Sequence, residues 1–198
     1  MSIAYDRRVS PAPARTSNDA IAAAARRLLE AGGLPAVTMR AVADAVGVKG
    51  PSLYKRVPDR AALLRIVAEG VAADLERTLS TTTGADDPRT RLRAALVAYR
   101  DFVRDNPNGY RLLFADLPAD ALLEPERLAA LGEPLVAAAA GIAGDADALE
   151  AARTVVAWAH GFVAMELAGA FRLGGDLDAA YAFGIDALLD GISRPTAR

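Results

Sequence analysis

Between residues 38 and 57 two short helix-forming runs are joined by Gly47-Val48, and the second run carries Lys49, Ser52, Tyr54, Lys55 and Arg56 within eight positions. Ammonium, guanidinium and hydroxyl groups at that density are the groups that neutralise phosphate oxygens and hydrogen-bond to base edges. The spacing reads as a helix-turn-helix. Gly47 permits the sharp turn, Ala43 and Val48 allow close packing, and the second helix is thrust outward where it can enter a major groove about 12 Å wide. A short helical hairpin of this kind also serves as a plain packed corner, so the pattern alone leaves both readings open.

Charge favours the first. Residues 1–60 hold ten Arg or Lys against five Asp or Glu, a net of +5, whereas residues 61–198 hold thirteen against twenty, a net of -7; together they give the chain's -2. A basic segment in an acidic chain points to an anionic partner, because affinity for nucleic acid follows local phosphate neutralisation.

The other chemistry-bearing group is His160, the sole histidine, in a chain without cysteine. Disulfides, thiolate metal sites and the usual histidine-based zinc sites are excluded, and no metal or cofactor is expected. One histidine and no Gly-rich phosphate loop leave few nucleophile and base pairs, so enzymatic chemistry is disfavoured. The rival function is an all-α enzyme or small-molecule carrier using His160 with Glu166 or Asp116 in an apolar cavity; it leaves the basic segment unexplained.

These groups need elements to hold them. The chain is 53% hydrophobic and 24% charged, a globular composition, with every long apolar stretch broken by charge, Gly or Pro. A cytoplasmic protein with no membrane span is expected. Residues 1–16 read as a flexible basic arm. Ser17 or Asn18 caps a first helix with Ile21, Ala25, Leu28 and Leu29 on one stripe, stopped at Gly32-Gly33. Short helices over Met39 to Val46 and Lys49 to Arg56 follow, and Asp59 caps a longer fourth helix through Leu63, Val67, Val71 and Leu75. A fifth runs from Pro88 through Leu92, Leu96, Tyr99 and Val103. Beyond it come a short aromatic segment from Gly109 to Leu117, a helix or broken pair between Pro125 and Pro134, and long helices from about Asp147 to Gly169 and Asp178 to Ile192. The alternation Arg89, Arg91, Arg93 reads as a solvated helix face. No run alternates with period two, so the fold class is all-α with about nine helices.

Taken with their neighbours, these residues carry a resemblance. Thr38-Met39-Arg40-Ala41-Val42-Ala43, Val46-Gly47-Val48, Pro51-Ser52-Leu53-Tyr54 and Pro58-Asp59-Arg60-Ala61-Ala62-Leu63-Leu64 resemble the DNA-binding domain of the tetracycline-repressor-like (TetR/AcrR) transcriptional regulators. Two positions depart from the family pattern: Val57 replaces the common aromatic after the recognition helix, and Arg60 the usual lysine at the start of helix four. The resemblance implies a helix-turn-helix DNA-binding domain over residues 17–62 and a ligand-binding and dimerisation domain over 63–198, connected by helix four, about 59–79. It implies backbone-phosphate contacts from Thr38, Tyr54 and Arg60, base reading by Lys49, Ser52, Lys55 and Arg56, and either role for Arg40. For Tyr54 the competing role is a ring anchoring helix three to helix one.

Trp158-Ala159-His160-Gly161 resembles an element found in the second domain of a subclass of that family, a domain that pairs two subunits and encloses a small molecule. The long final pair of helices suits such an interface between two copies. Tyr99, Phe102, Tyr110, Phe114, Trp158, His160, Phe162 and Met165 are the candidates to line the pocket, although aromatic residues also serve as simple core and a buried histidine is often satisfied by a backbone carbonyl. The implied function is a homodimeric repressor on a partly palindromic operator, released by a small apolar effector.

Overall fold

The computed structural model describes residues 17–84 and 87–193. The basic arm expected at residues 1–16 lies outside them. Ten α-helices occur among the described residues: α1 (Asn18–Ala36), α2 (Met39–Val46), α3 (Gly50–Tyr54), α4 (Arg60–Ser80), α5 (Pro88–Asp105), α6 (Pro107–Leu113), α7 (Pro125–Ala130), α8 (Glu133–Ala143), α9 (Ala148–Leu167) and α10 (Leu177–Ile192). The tenth arises because the segment after Pro125 divides into α7 and α8, with Pro134 in the first turn of α8.

Ser17 and Asp59 cap their helices as the sequence suggests, and other start residues do the same. The side chains of Ser17, Thr38, Asp59, Asp87 and Asp176 each accept a backbone N–H of the following first turn, satisfying donors that helix geometry leaves orphaned. Bonds from the Thr90 hydroxyl and amide hold the Asp87 carboxyl below the ordinary aspartate range. Gly33 adopts φ 66°, so the helical run of α1 breaks there and Pro35 opens one further turn.

One apolar core runs from Ile21 and Leu29 in α1 through Leu63, Val67 and Val71 in α4 to Ile185 and Leu189 in α10. A smaller satellite of Ala139, Ala151 and Ala152 joins α8 to α9. Close approach elsewhere depends on missing side chains. A Cβ on Gly184 would collide with the Trp158 ring, and one on Gly141 would stand 2.5 Å from Pro88 Cγ.

Arg89, Arg91 and Arg93 do not form a solvated face. Arg89 and Arg93, one turn apart, pair with Asp190 and Asp186 of α10, while Arg91 lies round the helix beside a cavity of about 130 Å³ lined by Leu79, Ala95, Leu135 and Ala138. Arg65 binds the Asp120 carbonyl and Glu124, and Arg127 reaches Glu69 and Glu76, so α4 is fastened along its length to the segment that ends in α7.

Candidate nucleic-acid interface and effector region

The turn between α2 and α3 is built around Gly47, at φ 74° and ψ 37° in the left-handed region, where a glycine has no Cβ to clash. Its N–H returns to the Asp44 carbonyl, and Val48 N–H donates to the Ala43 carbonyl at 2.9 Å. Beyond it α3 is only five residues long, shorter than the Lys49 to Arg56 run that the sequence suggests. Such a helix has almost no stability of its own, since nucleation is unfavourable and few bonds follow. Tertiary contacts hold it. Leu53 is fully buried with Val42 and Val57, and Val57 N–H closes on the Leu53 carbonyl at 3.0 Å.

With Leu53 and Val57 turned inward, Lys49, Ser52, Tyr54, Lys55 and Arg56 are all exposed. Tyr54 is 53% exposed, with the other half of its surface covered. Among the described residues no carboxylate forms an ion pair with Lys49, Lys55 or Arg56. Arg40 points outward from α2 with one distant partner, Asp44 at 3.8 Å.

Thr38 and Arg60 have work inside the fold. Thr38 Oγ1 accepts from Ala41 N–H at 3.1 Å, capping α2. Arg60 donates through Nε to the Val37 carbonyl at 2.8 Å and through Nη2 to the Leu34 carbonyl at 2.7 Å, which fixes the end of α1 against the start of α4. Both remain exposed and stand beside the outward face.

The aromatic candidates of the second region separate into groups. Tyr110 and His160 meet at 2.7 Å between the phenol oxygen and Nδ1, Phe114 packs edge-on to the imidazole at 4.6 Å, and Tyr99 stands edge-on to Tyr110 at 6.2 Å. Burial and a hydrogen bond with Tyr110 push the Tyr99 phenol far above its ordinary range; burial alone raises Tyr110 and lowers His160. The second group is Trp158, stacked on Tyr181 at 5.0 Å, with Phe162 against both and against Phe171. Met165 is exposed on α9. Phe102 joins neither group and faces a groove between α4 and α5 with Asp74, Thr78 and Asp105.

Arg100 escaped the sequence reading, and so did its pairing with Glu166 and Tyr181. Arg100 is only 5% exposed, donates to both Glu166 oxygens at 2.8 and 2.9 Å, lies 2.9 Å from Asp178, and sits over the Phe162 and Tyr181 rings. The hydrogen bond with Glu166 raises the arginine above its ordinary range. Tyr181 donates to the Leu96 carbonyl at 2.8 Å. Arg100 follows Leu96 by four residues and Glu166 follows Val163 by three, so each ion occupies a position that helical periodicity assigns to the core. That was the available clue. Glu166 is held by Arg100 and His160 Nδ1 by Tyr110, so these two groups are paired elsewhere and not with each other. Among the described residues no group of three or more His, Cys, Asp or Glu could hold a metal, and no helix is long and apolar enough to cross a membrane.

Two family models match: the tetR family of bacterial regulatory proteins over residues 21–67, and the tetracyclin repressor-like C-terminal domain over residues 92–188. The HTH-type transcriptional regulator Rv0681 of Mycobacterium tuberculosis is 32% identical over 191 residues, covering 93% of this chain and 85% of that protein. The transcriptional activator FasR of Mycolicibacterium smegmatis is 35% identical over 98 residues; there the match spans 48% of this chain and 42% of FasR. Among solved structures, BioQ with its natural double-stranded DNA operator superposes at a TM-score of 0.65 with 27% identity, over 89% of this chain and 98% of that one.

Proposed function

Because the chain belongs to the tetR family of bacterial regulatory proteins, we propose that it is a homodimeric, sequence-specific repressor that a small apolar effector releases from DNA. One observation carries the reading: Lys49, Ser52, Tyr54, Lys55 and Arg56 are all exposed, and among the described residues no carboxylate pairs with their cations, on a helix held in place by Leu53. Lys49, Ser52, Lys55 and Arg56 read base edges, while Thr38, Tyr54 and Arg60 contact backbone phosphates and Arg40 serves either surface. The DNA-binding unit is residues 17–62, and residues 63–198 take the effector and the second subunit. FasR is a transcriptional activator, and repression here is inferred from the tetracycline-repressor relatives.

The dimer forms through α9 and α10. Leu149 and Val156 on α9 and Phe183 on α10, the last 76% exposed, present apolar side chains to solvent beside the small Ala157 and Ala164. The effector binds at the rings of Tyr99, Tyr110, Phe114 and His160, with Trp158, Phe162 and Met165 adjoining, while Phe102 faces the separate groove between α4 and α5. It acts by preferring a conformer in which the two recognition helices are wrongly spaced for one groove face. Such a protein works by binding, without catalysis, in the cytoplasm where its DNA is.

Selection from a pool of random duplexes tests this directly. An inverted repeat should be enriched, and with about 8 phosphate contacts log affinity should fall against log salt with a slope of roughly -7. Failure to enrich any sequence would overturn the reading.

A further inference from the structure

The first turn of α6 lacks a cap from its own sequence. Pro107 has no N–H to offer, and the side chain of Asn106, the residue in the capping position, turns away from the Asn108 and Gly109 amides. It accepts from Arg26 Nη2 at 2.8 Å and donates to the Phe102 carbonyl at 3.0 Å. Both first-turn amides instead donate to Glu30, on α1: Asn108 N–H to Oε2 at 3.2 Å and Gly109 N–H to Oε1 at 3.0 Å. Arg26 Nε holds that carboxylate at 3.0 Å, and Asn108 Nδ2 returns a bond to the Glu30 carbonyl at 3.0 Å. Gly109 leaves room for the contact, since a Cβ there would stand 2.9 Å from Glu30 Oε1 and 3.0 Å from Arg26 Nη2.

We infer that Glu30 is a positioning residue for the recognition helix, because its carboxylate caps α6 from α1 and so latches the helix-turn-helix to the effector region; this rests on the proposed reading of α3 as the DNA reader. A carboxylate on first-turn amides is a charge-assisted cap that also meets the positive end of the helix dipole. Here the two halves of the cap belong to different regions. Ordering of α6 and docking of α1 are therefore linked, and by reciprocity whatever loosens one loosens the other. The residue after Gly109 is Tyr110, bonded to His160 on α9, so an effector that moves those rings pulls on the turn that Glu30 holds. On the other side α1 shares the Ile21, Ala25, Val42 and Leu53 core, so its position sets that of α3.

Because the chain has no cysteine, spin labels can be placed freely in the full-length protein. Ala45→Cys on α2 and Ala137→Cys on α8 are exposed sites in the two regions, and excess unlabelled chain confines the measured distance to one molecule. The distance distribution should be narrow with Glu30 present and broadened in Glu30→Ala. Glu30→Gln should fall between, and Gly109→Ala should match Glu30→Ala through a different residue. Helix content by circular dichroism identifies any variant that has failed to fold; for such a variant the milder Glu30→Gln takes its place. Affinity for a duplex selected by the native chain should drop roughly fivefold in Glu30→Ala, the effect of one lost helix cap. Removing a negative charge near DNA would by itself tighten binding, so a loss separates positioning from electrostatics. An unchanged distance distribution in folded Glu30→Ala would overturn the latch. If the native chain selects no duplex while the distances still broaden, the DNA reading fails and with it the assignment of Glu30 to recognition.

Discussion

Arginines do opposite things at the two ends of this molecule. In the helix-turn-helix Arg40 and Arg56 face solvent, one with a partner 3.8 Å away and the other with no ion pair among the described residues. In the C-terminal region Arg65, Arg89, Arg93, Arg100 and Arg127 are each matched to the chain's own carboxylates. The described part of the basic segment thus differs in structure from the acidic segment that follows it. Cations of the acidic segment are matched by its more numerous carboxylates, whereas the exposed cations around α3 are left for a partner that brings its own negative charge.

The sharpest way to break this contrast is to attack its most buried member. Glu166→Ala takes from the buried Arg100 guanidinium both oxygens it donates to and leaves it only the exposed Asp178 carboxylate, which should cost about 3 kcal/mol and lower the melting temperature by several degrees. A melting point within a degree or two of the native value would mean that the pair is solvated. Arg100→Met with Glu166→Leu, which removes both charges, should recover most of the loss, since an isosteric apolar pair often replaces a buried ion pair at little net cost.

At the other end, Arg56→Ala and Lys55→Ala should leave melting unchanged and weaken binding by about 1 to 3 kcal/mol at the matching base pair only. Competition between selected and scrambled duplexes reads this out, and equal losses on both would place the two residues on phosphates. Tyr54→Phe should weaken all sequences alike. The outer ion pairs should matter least: Arg89→Ala is expected to change stability by less than about 1 kcal/mol, because half-exposed pairs are screened and costly in side-chain entropy.

Acid should act on the C-terminal region at two separate groups. Burial lowers the His160 pKa in the folded state, so the unfolded chain binds the extra proton. The stability due to neutral His160 is full above its unfolded value of about 6.5 and is lost as pH falls towards the folded value. Melting temperature should therefore decline slightly from pH 7 to 5, and His160→Gln should flatten that slope. Asp87 gives the same sign in a separate window, below about pH 4. A slope that survives His160→Gln would assign the effect elsewhere.

How much of this could be read from the sequence depends on the distance over which a residue finds its partner. Ser17, Thr38, Gly47 and Asp59 act within four positions, so helix starts and the central turn were legible in the residues themselves. The exposed face of α3 was also legible, since one apolar residue among polar ones fixes which side turns in. Partners 66 to 101 positions apart were not: Arg100 with Glu166, Glu30 with Gly109, and Arg89 with Asp190 depend on how whole helices register against each other. Arg89 and Arg93 looked solvated because alternation along the chain says nothing of the neighbour that a helix face will meet. The aromatic candidates suffered similarly, since a ring's type fixes neither its group nor its contacts.

The five-residue α3, clamped by Leu53 and Val57, has a kinetic consequence. A reading head that must fold on its target pays for that ordering at the moment of contact and shows a heat-capacity change far larger than its footprint. This one is already shaped before DNA arrives. Encounter should then be governed by diffusion and steering charge, the heat-capacity change should match the surface actually covered, and wrong sequences should be left through fast dissociation rather than slow capture.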